Sequence, residues 1–362
     1  MSLAPKTTSR EKSILVVRLG DIGDLVISNP IASLIKHHAH NVRQTWVIEE
    51  SQLPLMRNHP DIDHLIVWQS DRWSQLLKSG RWTQLGRELR HLRRQLKERH
   101  YDIALDLQGL FSSAFVARLS GARIRIGLGS KHGSYWLVTK TISRNIGEQT
   151  QMGSEYRYLL SQLGMPDAPW QTYIAQPERR RADITEHLGF DYTREQYAVF
   201  APFTTRAEKR WPVKYWQQIA LRIRGRYQLK TVILGTEDFA EEAQTIASVT
   251  GAINLIGKTQ LDEAADVIRH ASLFVGVATG FTHMAHTFKV PVVGIFGPSC
   301  PYSYAGPDTS KVIFHERFCS PCRKKPTCNN RYDCMVEIKP DEVLAEIKPL
   351  MKAAAEFRKY SS

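Results

Sequence analysis

The sequence has no apolar run near the roughly 20 residues that a membrane-spanning helix needs, which excludes a chain carried through a bilayer by helices. Its opening segment, MSLAPKTTSREK, is polar, and the apolar stretch after it, ILVV, is too short for a signal-peptide core. We therefore expect a cytosolic protein. There is no long glycine/serine tract, no repeat period and no low-complexity segment, so a solenoid or a disordered linker protein is excluded. No nucleic-acid module is recognisable, and the basic residues lack interleaved aromatics, so we expect no nucleic-acid partner. Cysteine is scarce: Cys300 stands alone and the other four of five crowd into 319–334. In a reducing compartment that crowding points to metal before disulfide.

What is present is long, basic and mixed. The 362 residues are too many for one comfortable core and suit two domains. Apolar residues make up 42% and charged residues 23%, the balance of a globular chain. The formal net charge is +13, which implies an anionic partner such as a membrane surface or a phosphorylated substrate. A solvated basic surface accounts for the same number.

Short β-rich runs alternate with helical stretches from the start. ILVVRL, TWVIEE, HLIVW, DIALDLQG and IRIGLG read as strands in the first half; YAVFAPF, KTVILGTED, INLIG, SLFVGVATG and VPVVGIFGP do so in the second. This alternation predicts an α/β fold of two doubly wound, Rossmann-like domains with parallel sheets. We place them at 1–175 and 176–340, with an amphipathic helix over 341–362. Ligands of such sheets bind at the carboxyl ends of the strands. Residues 84–99 predict a basic amphipathic helix, with Leu85, Leu89, Leu92 and Leu96 on one face. It suits either an anionic lipid surface or a core-packed helix with a solvated face.

Three loops at strand ends of the second domain suit a nucleotide diphosphate. FAPFTTRAEKRWP offers the hydroxyls of Thr204 and Thr205 and the cation of Lys209. LGTEDFAEE puts Glu237 where an acid can accept from ribose hydroxyls, or simply favour a helix start. FVGVATGFTHMAHTF turns at Ala278-Thr279-Gly280, so its helix N-terminus would aim N–H groups at an anion with His283 as a further donor. Plain strand–helix packing with a core histidine explains that stretch equally. In the first domain, RLGDIGDLV places Asp24 at the first strand–helix turn, where a carboxylate can take a proton. Asp21 is its rival, and either could be a capping acid.

Together these stretches, in order along nearly the whole chain, resemble glycosyltransferase family 9, the ADP-heptose:lipopolysaccharide heptosyltransferases. VVRLGDIGDLVISNP, DIALDLQGLFSSA, FAPFTTRAEKRWP, FVGVATGFTHMAHTF and VVGIFGPSCPY carry the likeness. The resemblance implies a GT-B fold with facing domains and a C-terminal helix crossing back to the first. It implies inverting transfer of heptose from ADP-heptose to a hydroxyl of the lipid-linked, phosphorylated inner core, without a required cofactor. It implies work at the cytoplasmic face of the inner membrane, with the anionic membrane surface as a partner. By the family pattern Asp24 is the base and Lys209 supports the departing diphosphate. Thr204, Thr205, Glu237, Thr279, Gly280 and His283 complete the donor site, with Ala278 beside them. Arg18, Gln108 and Ser112 are assigned to the acceptor.

The chain departs from the pattern at one place: relatives usually read D-T-G where this sequence reads Ala278-Thr279-Gly280. A shifted donor, a weakened nucleotide-sugar-binding paralogue and an engineered substitution all fit that change. Cys319, Cys322, Cys328 and Cys334, spaced C-x2-C-x5-C-x5-C, can surround one zinc or iron. A reduced cysteine-rich loop or incidental disulfides are the alternatives. Relatives that modify proteins carry a four-cysteine iron site, so a protein O-heptosyltransferase is the other enzyme reading. Arg323, Lys324 and Lys325 share that loop and suit an anionic substrate.

Overall fold

Apolar runs such as ILVV, VVGIF and LFVGV are apolar at every position, which suits strands covered on both faces. The structure, a computed structural model, describes residues 11–39, 41–131, 133–144, 151–176, 181–288, 290–300, 302, 305, 308–320, 322 and 326–361. The chain divides into two compact units, residues 1–149 with 153–175, and 150–152 with 176–362.

The first unit holds β1 (Lys12–Arg18), β2 (Val42–Glu49), β3 (His64–Trp68), β4 (Ile103–Asp106), β5 (Ile124–Leu128) and β6 (Lys140–Ile142). They form one parallel sheet in the order β3-β2-β1-β4-β5-β6. The second unit holds β7 (Tyr197–Ala201), β8 (Lys230–Ile233), β9 (Ile253–Asn254), β10 (Leu273–Val277), β11 (Val292–Phe296) and β12 (Ser310–Phe314). Its order, β12-β11-β10-β7-β8-β9, repeats the first pattern, with β7 as the opening strand. In both sheets the opening strand lies against the fourth, and the direction of winding reverses there. The crevice at that reversal is where open α/β sheets bind ligands.

Alternation along the strands divides the second core in two. Phe200, Ile233, Val275 and Ile295 pack with the helix Val213–Tyr227 on one face. Val199, Val232, Phe274 and Val292 pack with the helix Leu261–His270 on the other. Each buried side chain of this kind contributes about 1.5–3 kcal/mol relative to exposure, so a doubly covered strand is held by its neighbours rather than by local propensity. In the helix Pro340–Ser361, Val343, Ile347 and Leu350 belong to the core of the second unit. The helix Trp82–Lys97 buries Leu92 and Leu96 in the first core, so its basic residues form the solvated face of a core-packed helix.

Candidate functional site

In the first unit, the loops after β1 and β4 meet at the reversal point. Gly20 has φ +106°, a conformation L side chains rarely adopt, and a Cβ there would stand 3.1 Å from Gln108 Nε2. Glycine thus lets the two loops approach. Gln52 Nε2 donates to the Gly20 carbonyl, so the segment after β2 holds the turn from the other side.

The helix Ile22–Ser28 starts immediately after this turn. Asp21 occupies the N-cap position without a side-chain capping bond, and Asp24 lies in the first helical turn. The Asp24 carboxylate is 55% exposed and 2.5 Å from Arg18 Nη2, whose side chain is 3% exposed. Arg18 Nη1 also donates to the Leu107 carbonyl after β4, 3.3 Å away. The arginine read as an acceptor contact therefore pairs with Asp24 and fixes its direction. Gln108 is half-buried and Ser112 exposed, the latter in the first turn of the helix Phe111–Leu119.

Sequence reasoning missed the support behind these groups. Asp106 is buried and accepts from the N–H groups of Gln108 and Gly109 at 2.9 and 3.0 Å. Burial pushes its carboxyl up, while the Gly109 and Gln108 N–H groups pull it down. Arg144 Nη2 donates to the Gln108 carbonyl at 2.8 Å, and Arg144 Nη1 pairs with Glu155 at 2.5 Å. The available signal was Asp106 in D-L-Q-G, an acid two residues before a turn, the pattern of an Asx-type loop.

In the second unit, the loops after β7, β8 and β10 come together because those strands are neighbours. Lys209 Nζ reaches the Ala278 carbonyl at 3.5 Å, joining positions 69 residues apart. Thr279 is the N-cap of the helix Gly280–Thr287, and its side chain accepts from the Thr282 N–H. The helix N-terminus and an ammonium group thus share one place, an arrangement suited to a diphosphate. Ala278 itself is buried and contributes no polar side chain.

His283 lies one turn into that helix. Burial, with Lys209 nearby, lowers its pKa to about 3, so the ring is neutral at pH 7. Its Nδ1 is 2.5 Å from the Tyr302 hydroxyl. When that hydroxyl donates, the ring proton sits on Nε2, so His283 offers a neutral N–H rather than a cation. Glu237 is exposed in the short helix Glu237–Phe239, and Thr205 is exposed while Thr204 is half-buried. Arg210 links the two loops: it donates to the Thr204 carbonyl at 2.8 Å and lies 4.5 Å over the Phe239 ring. Arg206, beside Lys209, is paired with Glu208 at 2.8 Å. Neither Arg206 nor Arg210 was singled out in the sequence, where they are two more charges in a basic stretch.

The cysteine loop packs on the turn that follows β11. Cys322 N–H donates to the Pro298 carbonyl at 3.0 Å, and a Cβ at Gly297 would stand 3.0 Å from Cys334 Sγ. Cys334 is buried and its thiol is pushed up to about 11, first by burial and then by Cys319, Cys322 and Cys328. Four thiols in one loop are a suitable donor set for a thiophilic cation. Among the described residues, however, no three such groups stand at metal-ligand geometry. Arg323, Lys324 and Lys325 lie outside the described residues.

Comparison with known proteins agrees with these features. The family described as Glycosyltransferase family 9 (heptosyltransferase) matches residues 89–333. The chain is 25% identical to lipopolysaccharide heptosyltransferase 1 of Pseudomonas aeruginosa over 95% of its own length and 99% of the relative's. A glycosyl transferase family 9 structure from Veillonella parvula superposes with a TM-score of 0.78 at 23% identity, covering 96% of this chain and 99% of that one. The E. coli heptosyltransferase WaaC, solved with ADP-2-deoxy-2-fluoro heptose, gives a TM-score of 0.69 at 20% identity over 93% and 99%. These structures share the GT-B fold. With repeated β/α units, a carboxylate at the first reversal point and a cation at the second, the chain belongs to glycosyltransferase family 9, the heptosyltransferase family, and is a glycosyltransferase.

Proposed function

We propose that this enzyme transfers heptose, with inversion, from ADP-heptose to a hydroxyl of the lipopolysaccharide inner core. The observation that carries this reading is the meeting of Lys209 with the Ala278-Thr279-Gly280 turn at a helix N-terminus. The donor's diphosphate lies there, with Glu237 toward the ribose and Thr204 and Thr205 on phosphate oxygens. The acceptor hydroxyl attacks the anomeric carbon and gives its proton to Asp24, while the bond to ADP breaks. Negative charge then grows on the diphosphate, where Lys209 and the N–H groups of the helix stabilise it. This field needs no cofactor. The acceptor is lipid-linked, so the enzyme works at the anionic inner face of the inner membrane, in keeping with its net charge of +13. Mass spectrometry of products from ADP-heptose and a panel of truncated core acceptors tests the reading. One added heptose on a core acceptor is expected, and no product with any acceptor would refute it.

Position 278 tests how the donor's sugar is held. A carboxylate there would repel the diphosphate and must offset that with hydrogen bonds to sugar hydroxyls. ADP lacks the sugar, so ADP affinity should stay level or fall slightly in Ala278→Asp. Its kcat/KM for ADP-heptose should rise about tenfold or more, the worth of one charge-assisted hydrogen bond at about 1.5–3 kcal/mol. Unchanged or reduced turnover would mean that the site is built around alanine and takes another donor.

The cysteines favour a second reading, transfer of the same sugar to protein serine. Cys319, Cys322, Cys328 and Cys334 would hold one zinc or iron that ties their loop to the Gly297-Pro298 turn. Purified protein should then carry about one equivalent of metal by elemental analysis, and removing it should loosen residues 315–336 before the nucleotide pocket. Metal-free protein with four freely titratable thiols would end this idea.

A further inference from the structure

Between Leu107 and Arg144 the chain contains no aspartate or glutamate, yet it carries five arginines and lysines. The same segment holds a group of exposed aromatics. Phe111 and Phe115 stand one helical turn apart, 56% and 42% exposed, with rings stacked at 6.3 Å. Arg118 continues their stripe at the i, i+4, i+7 spacing of one helix face and is exposed. The opposite side of this helix buries Ser113, Ala114, Val116 and Ala117. The exposed rings are therefore not a frayed core.

A neighbouring turn adds to this ledge. Tyr135 and Trp136 are 53% and 80% exposed, with ring centroids 5.2 Å apart. Their short helix, Ser134–Trp136, is tied to the start of the Phe111–Leu119 helix: Ser134 Oγ and the Lys131 N–H both donate to the Gly109 carbonyl, at 3.0 and 2.9 Å. Lys131 and Lys140 flank the pair and are exposed. Two pairs of exposed aromatic rings, in a segment that carries cations and no aspartate or glutamate, have the composition of an interfacial membrane contact. Tryptophan and tyrosine favour the headgroup layer, and lysine and arginine favour anionic lipid.

We propose that this ledge docks the first unit on an anionic phospholipid leaflet, with Phe111, Phe115, Tyr135 and Trp136 entering the headgroup layer. The inference rests on the acceptor reading above, because Gln108 and Ser112 lie in the same segment. Docking there brings the residues read as acceptor contacts to the surface from which a lipid-linked hydroxyl is presented. The net positive charge gives long-range attraction, and the rings give depth that salt does not screen.

The test is sedimentation of the full-length protein with vesicles of phosphatidylcholine, alone or mixed with phosphatidylglycerol. Wild type should bind the anionic vesicles more strongly. Phe111→Ser with Phe115→Ser, and separately Tyr135→Ser with Trp136→Ser, should each weaken that binding about tenfold. Both double variants should keep wild-type turnover on a delipidated, water-soluble core acceptor, which shows that they fold. Trp136→Phe should retain most of the binding. Raised salt should weaken wild-type binding without erasing the difference between wild type and the ring variants. Double variants that sediment like wild type would overturn the proposal. So would retained vesicle binding with a shift from dimer to monomer, which would assign the ledge to a second copy of the chain. Vesicle binding needs no turnover, so a failure to transfer heptose would leave this result standing on its own.

Discussion

Asp24→Asn should lower kcat by about 10²–10⁴-fold, the range expected when a general base is lost. The amide has the shape of the carboxylate and can still accept from Arg18, whose Nη2 lies 2.5 Å from Asp24. It has no lone pair basic enough to take the hydroxyl proton. Donor binding should be nearly unchanged, since the proposed diphosphate site lies in the second unit. Loss of the ion pair costs some stability, because Arg18 is 3% exposed and stays charged. That cost is limited by the 55% exposure of Asp24, where solvent screens the pair. A thermal melt alongside the kinetics separates the two effects. Asp21→Asn is the control: Asp21 is exposed at the N-cap position and makes no side-chain capping bond there. Near-normal turnover in Asp24→Asn, with a large loss in Asp21→Asn, would move the base three residues back.

Lys209→Ala should weaken ADP binding and turnover together, each by about tenfold or more. One charge-assisted hydrogen bond to phosphate is worth about 1.5–3 kcal/mol, and the same ammonium serves both the bound and the departing diphosphate. The losses should shrink as salt rises, because wild type itself loses the benefit of the charge. Lys209→Arg is informative beside it. The Lys209 ammonium approaches the Ala278 carbonyl at 3.5 Å as a point charge, and a planar guanidinium does not reproduce that reach. Calorimetry with ADP and steady-state kinetics with ADP-heptose measure the two quantities. If both survive Lys209→Ala, the lysine is a surface residue and the helix N-terminus holds the diphosphate alone.

Ten of the twelve strands among the described residues were legible as apolar runs, since a parallel strand covered on both faces must be apolar at nearly every position. The two that were not, Lys140–Ile142 and Ser310–Phe314, are edge strands. Each has one strand neighbour and keeps polar, partly exposed positions, so its sequence looks like loop. The residues named for the site were legible as types at strand ends. Their surroundings were not: Arg144 and Glu155 hold the Gln108 loop from more than thirty residues away in sequence, and nothing local announces such a partner.

The sequence by itself determined the repeated strand–turn–helix units, the glycine that allows the turn at position 20, and which carboxylates, hydroxyls and cations stand just beyond strands. Those follow from short-range rules, because apolar periodicity and turn stereochemistry act within a few residues. Only the tertiary structure decided what these groups do to one another. Lys209 meets the Ala278 turn because β7 and β10 are neighbours in the sheet, although two β/α units separate them in the chain. Arg18 is oriented at Asp24 because β4 lies beside β1 and Leu107 takes its other nitrogen. His283 loses its charge because the helix that carries it is buried. Strand order and burial are properties of the whole packed chain, since they come from covering both faces of a sheet at once, and electrostatic fields at the site are set by that packing.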